Sequence, residues 1–306
     1  MPYQVTVDWA PAYELAVSLH AFMSEQTHRL QEQGDRWAEK VKEQLHPATA
    51  RTLAEAGEPP CLRTLGLLIH QVQGVRSAPA FLKWFATVSP GELYERLSPH
   101  APPDGVSLWA NLGAVREQYM AWLYPWYTEY FSHLDPGILQ WLEARAAALG
   151  RLALQVSGPD VVEHATGGYD LAPRAGIRRV VLVPQYHKRP LTQYFAGQDF
   201  EAFLHPVEDL PVPAGVPSPG LLRAVRAVAD ESRLRMLHLL ARGPLTFTQV
   251  VDGSRLTKGT VHKHLSALKG AGLLRTHFRD GAVVAYSLRP GAFSRLSGML
   301  EGFAER

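Results

Sequence analysis

The sequence predicts a mainly α protein with small β elements. It reads as an amino-terminal helical domain carrying a small sheet, followed by a second domain of short helices and a hairpin, a winged helix-turn-helix. Three observations predict this. Pro206 to Gly220 holds five prolines, which exclude regular helix and favour an extended connector. Before it, apolar residues mostly follow a helical period, with two alternating or apolar stretches that read as strands. After it, the helical period gives way to a period of two. The predicted division is 1–205 for the first domain, 206–220 for the linker and 221–306 for the second domain.

In the first domain, Val5, Val7 and Trp9 alternate with polar residues, so Tyr3 to Trp9 reads as a strand. A long helix is expected from Ala12 to Gln33. Ser89-Pro90-Gly91-Glu92 looks like an N-cap with proline in the first turn and a capping-box glutamate. Asp135-Pro136 opens another helix, from Gly137 to Val156. Val180-Val181-Leu182-Val183 reads as a strand, and 191–195 and 200–207 extend the sheet. Trp109, Tyr119, Trp122, Tyr124, Trp126, Tyr127, Tyr130 and Phe131 form a dense aromatic group, which either packs as core or lines a pocket for a flat, apolar effector.

Charge is unevenly spread. Residues 219–306 carry 14 Lys+Arg against 6 Asp+Glu, a net +8, while the whole chain is only +2. A basic end on a near-neutral chain suggests a polyanionic partner. One cysteine, Cys61, excludes an intramolecular disulfide and fits a reducing cytoplasm; it reads as a buried small apolar residue. Met1 to Val5 has neither a basic region nor an apolar run, so no signal peptide is expected, and no stretch is apolar enough for a membrane span. A cytoplasmic location follows as an expectation.

The basic end resolves into elements. Leu221 to Val228 is a helix, and the next places Leu234, Leu237 and Leu240 on one face before Gly243-Pro244 stops it. Thr246 caps a short helix over Phe247 to Val251, and Asp252-Gly253-Ser254 makes a turn. A longer helix starts near Thr257 and runs to Lys269. Two helices joined by a tight, glycine-containing turn form a helix-turn-helix. Val261, Leu265 and Leu268 bury one face of the second helix, leaving Lys258, Gly259, His262, Lys263 and Ser266 outward. That outward face has donors and no carboxylate, as a major-groove reader requires. Leu273 to Phe278, the turn Arg279-Asp280-Gly281 and Ala282 to Leu288 then make a hairpin, the wing. Six Lys/Arg and no acid lie between Ser254 and Arg279. Pro290 to Glu305 is an amphipathic helix with Phe293, Leu296, Leu300 and Phe303 on one stripe, suited either to dimerisation or to packing on its own domain.

Three runs carry a resemblance: Ala229 to Leu237, Thr257 to Leu265, and Leu268 to Leu274, with Ala282 to Leu288 as the second wing strand. Together they resemble the ArsR/SmtB family of winged-helix regulators. The resemblance implies a homodimer on a palindromic double-stranded DNA operator, usually repressing. It places the groove-facing positions at Lys258, Gly259, His262 and Lys263. Members that sense metals use a cysteine motif in the first helix of the helix-turn-helix; here that helix reads Phe247-Thr248-Gln249-Val250-Val251, so metal sensing is not expected.

The expected DNA contacts are Thr257, Lys258, Gly259, Thr260, His262 and Lys263 in or beside the groove, and Arg255 and Lys269 on phosphates. Arg275 and Arg279, with His277, place the wing. No catalytic residue, metal ligand or cofactor is assigned, because no nucleophile elbow, zinc motif, phosphate loop or dinucleotide fingerprint occurs. His262 and His264 point apart on their helix, and Gly167-Gly168 reads as a turn. The first domain is expected to sense a non-metal small molecule or to hold a dimer. The alternative is a protein-interaction module whose winged domain does not use DNA.

Overall fold

The computed structural model describes residues 3–57, 59–72, 74, 76–100, 111–208 and 211–305. Its internal contacts divide the chain into two units. Tyr3–Arg151 and Gly176–His205 form the larger; Leu152–Ala175 and Pro206–Arg306 form the smaller, winged unit.

The larger unit begins with β1 (Gln4–Val7), followed by α1 (Pro11–Met23), α2 (Glu25–His28), α3 (Gly34–Gln44), α4 (Pro47–Glu55), α5 (Leu62–Gln71), α6 (Ala78–Thr87), α7 (Pro90–Leu97), α8 (Leu112–Glu129) and α9 (Pro136–Leu152). The chain then enters the winged unit as α10 (Gly158–Thr166) and β2 (Tyr169–Leu171). It returns as β3 (Arg179–Gln185), β4 (Gln193–Ala196) and β5 (Phe200–Pro206). The sheet order is β1-β3-β5-β4, with β1 parallel to β3 in the register Val5↔Val180 and β4 antiparallel to β5. A parallel pair needs a long crossover, which the helices supply. β3 and β5 are buried almost throughout, which explains why 180–183 is an unbroken apolar run.

Leu15 and Leu19 of α1, Leu65 of α5, Phe81 and Phe85 of α6, Trp126 of α8 and Val181 of β3 share one core. The aromatic group belongs to it: Tyr119, Trp122, Trp126 and Phe131 are buried, whereas Tyr124 faces solvent. Trp109 lies outside the described residues. Cys61 is half-buried against the core rather than enclosed.

Three local expectations are corrected. The helix expected over 12–33 breaks after Met23, because Ser24 turns back and donates its hydroxyl to the His20 carbonyl at 2.6 Å. Ser89 caps α7 through the Glu92 amide, but the Glu92 carboxylate turns to Arg96 instead of closing a capping box. The first domain also does not run unbroken to residue 205, because α10 and β2 belong to the winged unit. The reason is a strand pairing invisible locally: β2 lies parallel to a wing strand, Tyr169 opposite Thr276. No helix among the described residues is long and apolar enough to cross a membrane.

Candidate nucleic-acid interface

The winged unit continues with α11 (Pro219–Val228), α12 (Glu231–Leu240), α13 (Phe247–Ser254), α14 (Lys258–Gly270), β6 (Leu274–Arg279), β7 (Ala282–Leu288) and α15 (Ala292–Ala304). Caps set most boundaries. Ser218 accepts the Leu221 amide, so Pro219 enters the first turn of α11 rather than the linker. Thr246 and Gln249 form a reciprocal capping box at α13. Thr257 accepts the Thr260 amide at 3.3 Å and starts α14.

The turn between α13 and α14 is not the one expected. Asp252-Gly253-Ser254 completes α13, and Arg255, at φ 57°, supplies the left-handed residue. Gly253 serves close packing instead, since a Cβ there would lie 2.8 Å from Leu239 Cδ2. In α12, Leu237 and Leu240 are buried as expected, but Leu234 is exposed and Met236 fills the core position. Asp280 and Gly281 both take positive φ, 50° and 80°, and close the β6–β7 hairpin.

The outward face of α14 follows from its inward one. Val261, Leu265 and Leu268 are buried, and Lys258, Gly259, His262 and Lys263 are exposed, as is Arg255 before the helix. No acid lies in the first turn. Nothing among the described residues pairs with Lys258 or Lys263. The helix N-terminus, with its partial positive charge, therefore carries free cations. Thr257 and Thr260 are partly engaged already: their hydroxyls lie 2.9 Å apart.

The other expected contacts are placed differently. β6 buries Leu274, Thr276 and Phe278 and turns Arg275, His277 and Arg279 to its other face. α10 and β2 meet that face with acids. Arg275 pairs with the Glu163 carboxylate, which also accepts Arg289 Nε at 3.2 Å. Arg279 donates to the Asp170 carbonyl at 2.6 Å and to its carboxylate at 2.7 Å. His277 Nδ1 lies 2.8 Å from the same carboxylate, and its Nε2 lies 2.9 Å from Ser287 Oγ. Burial works against the Asp170 charge, but the Arg279 and His277 bonds outweigh it and hold the carboxyl below its usual range. Lys269 Nζ donates to the Tyr169 hydroxyl at 2.7 Å. So the ten candidate residues separate. Arg255, Thr257, Lys258, Gly259, Thr260, His262 and Lys263 gather at the start of α14. Lys269, Arg275 and Arg279 are tied to α10 and β2.

Residues 230–276 match the family model described as bacterial regulatory protein, arsR family. The carboxyl-terminal domain is an ArsR-like helix-turn-helix. A crystal structure titled as an ArsR family transcriptional regulator is similar at 26% identity, covering 28% of this chain and 88% of that one, with a TM-score of 0.25. No curated protein matches the chain.

Glu163, Tyr169 and Asp170 are partners of the ArsR-like domain that sequence reasoning missed. A second polar array, inside the larger unit, was also missed. The fully buried Glu14 carboxylate accepts the His187 amide at 3.0 Å and lies 2.5 Å from His187 Nδ1. His187 Nε2 lies 2.8 Å from the Tyr130 hydroxyl, which accepts Trp37 Nε1 at 3.0 Å. Next along the chain, the buried Lys188 ammonium lies 2.8 Å from His20 Nδ1. Burial pushes Lys188 down to about 8. Burial and the Lys188 charge together push His20 down to about 3, so His20 stays neutral and can accept that bond.

Proposed function

We propose that this protein is a DNA-binding transcriptional regulator that represses by occupying an operator as a homodimer. The observation that carries the reading is the exposed, acid-free first turn of α14, where Arg255, Lys258, His262 and Lys263 pair with no carboxylate among the described residues. The first turns of α14 enter the major groove, the lysines meet phosphate and the polar groups read base edges. Supporting the dimer, α11 and α15 leave Leu222, Val225, Phe293, Met299 and Leu300 exposed on one small domain. The stripe on α15 is thus covered only in part by its own domain. A two-fold pair sets the two α14 helices about 34 Å apart, one turn of DNA. The larger unit senses a non-metal effector; its buried Glu14–His187 and Lys188–His20 pairs are polar groups that packing alone does not call for.

The test is fluorescence anisotropy of the full chain on duplex DNA from its own upstream region at several salt concentrations. Sequence-selective binding that weakens steeply with salt and collapses in Lys258→Ala/Lys263→Ala supports the reading. Binding that the double variant retains moves the protein-interaction reading to first place.

A further inference from the structure

The geometry points to an autoinhibitory strap: α10 and β2 hold the wing arginines on the carboxylates of Glu163 and Asp170, where they cannot meet DNA phosphate. The inference rests on the DNA-binding reading and adds a control element to it.

Three observations converge. The first is placement. Arg275, His277 and Arg279 share the face of β6 turned away from the domain core, and both acids sit against that face. The second is saturation. Glu163 takes Arg275 and Arg289, and Asp170 takes Arg279 through both its carbonyl and its carboxylate. On the DNA-binding reading each acid competes with phosphate for the same guanidinium, and a guanidinium fork already bound to a carboxylate offers less to another anion. The third is topology. The strap spans 152–175 and is joined at both ends, through α9 and β3, to the larger unit. A change of shape in that unit therefore pulls on the strap through two peptide connections, besides the connection at residues 205 and 206.

β2 is also a light attachment. It has three residues on the edge of the sheet, parallel to β6, and the Thr276 amide donates to the Gly168 carbonyl at 2.7 Å. Apolar contact holds the joint as well, since Tyr169 and Leu171 are buried and the Tyr169 ring lies 5.8 Å from that of Phe278, so the charges decide whether the arginines are held and not whether β2 stays. Phosphate can compete with the two carboxylates for the arginines, and an effector in the larger unit sets how well it competes.

The test compares the full-length wild type with Glu163→Gln/Asp170→Asn on a mixed-sequence DNA duplex, by anisotropy between about 50 and 200 mM salt. The amides keep the shape of the acids and can still accept hydrogen bonds. With the carboxylate charges gone, phosphate outcompetes the neutral amides for Arg275 and Arg279, so affinity at the lowest salt rises about tenfold and the salt slope steepens by about two. Glu95→Gln, exposed on α7 of the larger unit, makes the same kind of charge change away from the strap, α14 and α15 and leaves the slope as it is. Each single variant steepens the slope by about one, and the singles decide the matter if the double variant does not fold. Wild-type binding with an unchanged or shallower slope in the strap variants overturns the strap alone. Absence of binding in wild type and variants alike overturns the DNA-binding reading and the strap with it.

Discussion

Gly168 runs so close to Leu274 that a Cβ on it would lie 2.3 Å from the Leu274 carbonyl oxygen. Its φ of 128° is also one that side-chain-bearing residues rarely adopt. Gly167, at φ 72°, ends α10 as its left-handed cap. The glycine pair is therefore the joint that lets β2 reach β6. Gly168→Ala should destabilise the winged unit by roughly 2 kcal/mol or more, since strain and a backbone clash add. The readout is selective: the six tryptophans among the described residues, Trp9 to Trp141, lie in the larger unit. Faster amide exchange along β6 with unchanged tryptophan unfolding is the expected result. Unchanged exchange at Thr276 would count against the joint.

What the sequence revealed depended on how far apart the interacting residues lie. The helix-turn-helix was legible because its signals are local: Thr246 with Gln249, Thr257 with Thr260, Asp280 with Gly281. The buried face of α14 was legible for the same reason, a spacing within one helix. The pairings that change the functional picture are remote. Asp170 and His277 are 107 residues apart, and Glu14 and His187 are 173 apart. A three-residue parallel strand gives almost no periodic signal, so the sequence shows the Gly167-Gly168 turn but not the strand β2 that follows it. Leu234 failed for a subtler reason. Spacings of three drift around a helix, and Met236 with Leu237 and Leu240 faces the core more squarely.

The dimer surface can be tested by charge. Phe293 is 49% exposed and Leu300 is 45% exposed, both on α15. If a second copy covers them, Phe293→Asp or Leu300→Asp puts an unpaired carboxylate into an apolar interface. Dimer dissociation should then strengthen on the order of 100-fold, about 3 kcal/mol. Light scattering across a dilution series reads this. A monomeric wild type, or a variant that dimerises equally well, would sink the idea.

Lys188 predicts a pH dependence in the larger unit. Its ammonium is 2% exposed and burial pushes it down to about 8, against roughly 10.4 when unfolded. Between these values the unfolded chain binds more protons than the folded one, so stability rises with pH. From about pH 7.5 to 9.5 the gain is about 2 kcal/mol. Higher pH is less useful, because Tyr13 and Tyr130, both held high by burial, contribute with the opposite sign. Urea unfolding followed by tryptophan fluorescence should show a rising midpoint in wild type and a flatter one in Lys188→Met. A wild-type midpoint that falls across this window would contradict the assignment.

Gly259 separates stability from recognition. It lies in the first turn of α14, it is exposed, and a Cβ there would meet nothing within 4 Å. Nothing in the fold therefore requires glycine at this position. An exposed helical glycine is worse than alanine by roughly 0.5–1 kcal/mol, so Gly259→Ala should stabilise the winged unit by about that much. DNA is a different neighbour. If the start of α14 lies on the floor of the groove, the added methyl meets base edges, and affinity should fall by about tenfold. Slower amide exchange across α14, together with weaker anisotropy binding, is the expected pair of results. Slower exchange with unchanged binding would move Gly259 out of the groove and leave Lys258, His262 and Lys263 to contact DNA from the side.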